Sequence, residues 1–145
     1  MSNIATIITK IENILTAEGL TKLTHTLDLS KNKFSPTEIK FGIIPAGQKQ
    51  VEGVTKHLTV DYAFNVILAK SYITTAHNDD ALMALSVDML NIFNSAYIKA
   101  VQTKLSIPHL VKLIDDLAVG QPIIAEKEKL LFLEASFIVR SFYLI

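Results

Sequence analysis

Four histidines, His25, His57, His77 and His109, are the side chains of this sequence best suited to bind a metal or move a proton near neutral pH. A helix face that chelates a metal needs two of them three or four positions apart, and none is so spaced, so no metal site is expected. In His77-Asn78-Asp79-Asp80 an imidazole adjoins two carboxylates. The acids there head an apolar periodic stretch, where they serve more simply as a helix cap and as partners of the dipole's positive end. Asp115 and Asp116 are adjacent; on a strand they would point to opposite faces and could not share a proton as a catalytic dyad does. Gly47 and Gly53 stand near Lys49 and Lys56, but no helix follows to complete a phosphate-binding loop. Ser35-Pro36-Thr37-Glu38 has capping-box spacing before an alternating segment and reads as a turn. There is no cysteine and no serine nucleophile elbow. With no catalytic set in view, the expectation is a protein that is not an enzyme and needs no cofactor.

Arg140 is the remaining residue of chemical interest, the one arginine among 14 basic residues, set in an otherwise apolar terminal segment. An unpaired buried charge is costly, so its guanidinium must reach water or a carboxylate. It is either an outward residue of a half-exposed sheet or one side of an ion pair between subunits.

Charge and composition narrow the partners. Fourteen basic residues balance 14 acidic ones, and the isoelectric point is near 6.9. This lacks the basic footprint of a protein that binds nucleic acid through phosphates, so no sequence-specific nucleic-acid binding is expected. Thirteen of the basic residues are lysine, whereas bidentate phosphate recognition usually recruits arginine. Half the residues are hydrophobic and the mean hydropathy is +0.35. The most apolar stretches are taken to be Leu130 to Leu133 and Phe137 to Val139 with Phe142 to Ile145, broken by Glu134, Ser136, Arg140 and Ser141 and short of the ~20 residues of a spanning helix. No membrane and no signal peptide are expected, and surplus apolar surface with little self-repulsion points to association between subunits.

The elements that must position these residues follow from periodicity. Ile4, Ile7, Ile8, Ile11, Ile14 and Leu15 form a helical stripe that Gly19 can end. Leu23 to Leu29 alternates as a half-buried strand, and Ile39 to Ile43 as a second that stops at Pro45, the two predicting a hairpin. Pro45 to Lys56 has little to pack with and reads as a mobile loop. Leu58 to Ala69 is the clearest strand. Leu82, Leu85, Met89, Ile92, Phe93, Ala96 and Tyr97 mark a large helix from Asp79 to about Lys104. Leu110 to Leu117 reads as a strand, Ala118 to Lys129 as a turn-rich connection, and Leu130 to Ile145 as a strand apolar on both faces, hence central or partnered.

The expected fold is therefore α+β over a single domain, residues 1–145, with the mobile loop at 45–56. It has a mixed or antiparallel sheet of about four to five strands flanked by a short N-terminal helix and one long helix. Leu85, Met89, Phe93, Phe64, Val66, Phe137 and Val139 should meet in the core. The terminal strand is the expected subunit interface, through Arg140, Phe132, Ile138, Phe142 and Leu144. Gly47, Lys49, Val51, Gly53 and Lys56 would belong to a loop that orders on assembly.

This order of elements, with the loop before Leu58 to Tyr72, the helix from Asp79 and the closing Ala-Ser-Phe-Ile-Val-Arg-Ser-Phe-Tyr-Leu-Ile, resembles the tail terminator, or tail completion, proteins of tailed bacteriophages. The resemblance rests on element order and size over nearly the whole chain. It implies a structural virion protein, made in the host cytoplasm, that forms a homo-hexameric ring at the head-proximal end of the tail. Its partners would be copies of itself, the tail tube protein and a head-completion or connector protein. Other neck and tail proteins, including tube subunits and head-completion proteins, share this pattern. A small ligand-binding α+β domain or enzyme is the reading from a different class, using Asp61, Tyr62 or His77 in a pocket between sheet and helix.

Overall fold

The computed structural model describes residues 4–24, 26–27, 32–33, 38–54, 57–72, 79–103, 110–125 and 129–144. The first helix, α1 (Ile4–Ala17), buries Ile7, Ile11 and Leu15, one stripe at helical spacing. It ends in a Schellman motif. Gly19 takes φ +90°, its N–H donates to the Thr16 carbonyl, and the Leu20 N–H donates to the Leu15 carbonyl. Leu20 is buried and completes the apolar contact that usually accompanies this ending.

The chain then forms β1 (Thr21–Lys22), which pairs in parallel with the start of β2 (Ile39–Val54). This replaces the expected strand over Leu23–Leu29 and the expected hairpin. The Leu23 N–H still donates to the Phe41 carbonyl at 2.8 Å, but the chain then bends away through Thr24, Thr26 and Leu27. Leu27 is 86% exposed, so the alternating leucines do not form one buried face. Residues 25 and 28–31 lie outside the described residues.

β2 and β3 (His57–Ser71) form a long antiparallel hairpin. Here the expectation of a mobile loop at 45–56 is corrected over residues 45–54, which continue β2; 55 and 56 lie outside the described residues. The backbone ladder to β3, including Gln48↔Tyr62, Lys49↔Asp61 and Gln50↔Val60, supplies partners that the side chains alone did not suggest. Pro45 falls at a register shift, and Gly47 follows with φ +130°. Pro45 lies beyond the short stretch that β1 pairs with, and a bulge there tolerates a proline that would end a central strand.

Next comes α2 (Asp79–Thr103), within a residue of the predicted helix. After β4 (Leu110–Val119) lies a short strand the sequence did not announce, β5 (Ile123–Ala125), inside the expected turn-rich connection. β6 (Leu130–Leu144) closes the order. The sheet runs β1-β2-β3-β6-β4, with β5 following β4 along the same edge of β6. All its pairings except β1 with β2 are antiparallel. The terminal strand is thus central, the first of the two readings its apolar faces allow.

Both helices cover one face of this sheet. Ile7, Ile11 and Leu15 of α1 and Leu82, Leu85, Met89, Phe93, Ala96 and Ala100 of α2 share a core with Phe41, Val60, Tyr62, Phe64, Val66 and Leu68, and with Leu131, Leu133, Ala135 and Val139 of β6. Phe137 packs against it, its ring stacked on Phe64 with centroids 5.8 Å apart. By length and composition α2, rather than the terminal strand, is the segment apolar enough to cross a membrane among the described residues. Its core face is nevertheless committed to this sheet.

The helices are tied to each other at Glu18. Its Oε1 accepts a hydrogen bond from Ser95 Oγ at 3.0 Å and pairs with Lys99 Nζ at 2.6 Å. The Lys99 hydrogen bond, aided by Ser95 and opposed by desolvation, holds this carboxyl below its ordinary value near 4.5. A depressed folded pKa gives stability that is full above the unfolded value and is lost as pH falls through the folded one. Glu18→Gln should therefore destabilise the protein at pH 7 by about 0.5 to 1 kcal/mol, discounted for the half-exposed lysine. In urea denaturation that difference should shrink below its ordinary pKa; a difference independent of pH would contradict the assignment.

Candidate functional site

Side chains alternate along a strand, so the residues of β3 and β6 that do not face the helices must line the other side of the sheet. That face has no helix over it among the described residues. Every residue expected at a subunit boundary on the terminal strand is an even-numbered position of β6. Phe132 and Ile138 are half-buried and stand opposite Ala69 and Ala63. Phe142 and Leu144 occupy the positions opposite Thr59 and His57.

Arg140 is the exception to the expected chemistry. Its guanidinium makes a two-point contact within the chain, Nε to Asp61 Oδ1 at 2.8 Å and Nη2 to Asp61 Oδ2 at 3.1 Å. Asp61 and Arg140 are direct cross-strand neighbours, which brings the planar fork onto the carboxylate without distortion. Of the two readings of Arg140, the outward residue of a half-exposed sheet is the one this contact fits, with a carboxylate of the same chain as its partner. Both side chains are partly exposed. Register continues the row outward, with Lys49 opposite Asp61 on β2 and Lys112 opposite Arg140 on β4. A band of three basic positions and one acid thus crosses the sheet.

Asp61→Ala should cost about 1 to 2 kcal/mol, below the value for a fully buried pair because water reaches both partners. A double-mutant cycle with Arg140→Ala should return a coupling of about 1 kcal/mol; additivity would contradict the pair.

Below this band the face becomes polar. Asn65, Glu134 and Ser136 floor an open cleft of about 590 Å³, walled by Ala118, Val119, Gly120, Gln121, Pro122 and Ile123. The wall exists because the Gly120 N–H donates to the Glu134 carbonyl at 2.8 Å, holding the link between β4 and β5 along β6. Sequence reading missed this cleft. Its residues come from four strands and the link between β4 and β5, and only strand register shows that they meet.

The other candidates separate. Of the assembly-loop residues, Gly47, Lys49, Val51 and Gly53 lie on β2, and Lys56 lies outside the described residues. His57 begins β3, while His25, His77 and His109 lie outside the described residues. Asp115 and Asp116 are positions of β4. Tyr62 is buried in the core on the face opposite Asp61, so these two do not share a pocket. Among the described residues, no three His, Asp or Glu side chains gather in a metal-binding group. No protein-family model matches the chain, and no curated protein matches its sequence.

Proposed function

We propose that this chain is a structural virion protein acting as a tail terminator: a ring-forming subunit that caps the tail tube at its head-proximal end and joins tail to head. The observation that carries this reading is the one-sided helix cover, which leaves a sheet face holding Phe132, Ile138 and Arg140 for contact with other subunits. The edges support it. β2 and β4 stand at opposite sides of the antiparallel array and run in opposite directions, so β4 of one copy beside β2 of the next would continue the pairing. Such a head-to-tail contact must close into a ring or extend into a filament. The work is geometric and uses no cofactor, with the partners being further copies, a tube protein and a head-completion or connector protein. The protein would reside at the tail's head-proximal end after synthesis in the host cytoplasm.

The test is reconstitution. Added to polymerising tube protein, the chain should arrest growth and appear as a ring at one tube end. Tubes of unchanged length without a ring would overturn the reading. The cleft floored by Asn65, Glu134 and Ser136 favours the second reading, a ligand-binding domain, which would show as a ligand-specific thermal shift abolished by Glu134→Ala.

A further inference from the structure

Glu134 supplies the only charge in the lining of the cleft beside β6. Leu133 and Ala135 are buried in the core, so Glu134 and Ser136 project from the opposite face of the strand. Ser136 is the cross-strand neighbour of Asn65, which sets their Cβ atoms about 5 Å apart, and Glu134 stands two positions, about 7 Å, along β6. A carboxylate, an amide and a hydroxyl thus border one point of the cleft. Among the described residues no hydrogen bond or ion pair engages these three side chains, so their acceptors are open to a ligand.

Charge and donor count decide which ligand. An anion would meet Glu134 with no compensating cation: the one basic residue of β6 is Arg140, six positions and about 20 Å away, already paired with Asp61. A divalent metal ion takes about six or more oxygen ligands, and no metal-binding group of His, Asp and Glu gathers among the described residues. A primary ammonium carries one positive charge and three N–H donors, one for each acceptor. Beside them the wall is apolar: Ile123 is 48% exposed, and Val119 and Pro122 share that wall. Ile123 lies opposite Phe132, hence on the diagonal from Glu134, about 7 to 8 Å away. An alkyl chain of about four carbons covers that distance, lying along apolar surface with its charged end among polar groups as a lysine stem does.

We propose that the cleft binds a primary alkylammonium group. The ammonium donates to the Glu134 carboxylate, Asn65 Oδ1 and Ser136 Oγ, and the alkyl stem lies against Ile123 and Pro122. The group belongs either to a free aliphatic amine or to a lysine side chain. This rests on the reading of the cleft as a ligand site and is independent of the terminator assignment.

The test is titration of the full chain with pentylamine, followed by amide NMR shifts, beside pentanol and pentanoate as stems of equal length without the positive charge. Pentylamine should shift the amides of Gly120, Glu134 and Ser136 saturably and bind about 10-fold or more tightly than either control. Glu134→Gln, at an exposed position, should lose that preference while its thermal unfolding matches that of the parent. Asp88→Asn, exposed on α2, should leave the preference unchanged, which separates the cleft from carboxylates at large. Nα-acetyl-lysine methylamide distinguishes the sources: tighter binding than pentylamine assigns the cleft to a lysine side chain, and weaker binding assigns it to a free amine. Pentanol or pentanoate binding at these amides as tightly as pentylamine would overturn the ammonium assignment and keep a ligand site. No saturable shift from any of the probes would overturn both.

Discussion

Replacing Phe93 by alanine is expected to lower the free energy of unfolding by about 3 to 5 kcal/mol. The residue is 3% exposed at the middle of the core face of α2, where Met89 and Ala96 flank it along the helix. The sheet residues of the same cluster, including Phe64, Val66 and Leu133, belong to β3 and β6, whose paired backbones cannot close on the vacated space. The cost should therefore include a cavity beyond the lost transfer energy. Urea denaturation should show a lower midpoint with an unchanged slope. A loss below about 1 kcal/mol would mean that Phe93 does not pack in this core.

Gly42→Val is expected to cost about 3 kcal/mol, at the upper end for overpacking. In most strands valine improves on glycine, so the sign is diagnostic. A Cβ at this position would lie 2.6 Å from Thr26 Cγ2 and 3.1 Å from Leu23 Cδ1, because the segment after β1 folds over β2 here. Thr26→Gly should recover much of the loss. Stabilisation by valine alone would show that the segment does not cover Gly42.

The contrast between these two sites shows what could be read from the chain. Phe93 belongs to a stripe with helical period, and long periodic elements declare both their type and their buried face; α1, α2, β3 and β6 were legible for that reason. The α+β class followed from them. Gly42 and Leu23 depend on a different kind of information. The alternation from Leu23 to Leu29 is that of a strand, but the hydrogen bond from Leu23 to Phe41 and the approach of Thr26 to Gly42 take the segment across the sheet instead. Residues 45–54 show the opposite failure. Their weak side-chain pattern hid a strand whose ladder to β3 is made by backbone.

The candidate surface was half legible. Period two puts Phe132, Ile138 and Arg140 on one face of the terminal strand, and the register sets them opposite Ala69, Ala63 and Asp61; Phe142 and Leu144 are later positions of the same alternation. The partner of Arg140 was not legible, since Asp61 is 79 residues away in sequence and adjacent only through register. The cleft beside Glu134 is hidden for the same reason.

The terminator assignment is tested most directly by electron microscopy of virions carrying a label on this chain, paired with tails assembled in its absence. The account predicts a ring of label at the head-proximal end of the tail, and, without the protein, tails of uncontrolled length that fail to join heads. Label elsewhere in the virion, or tails of normal length and normal head attachment without the protein, would contradict it.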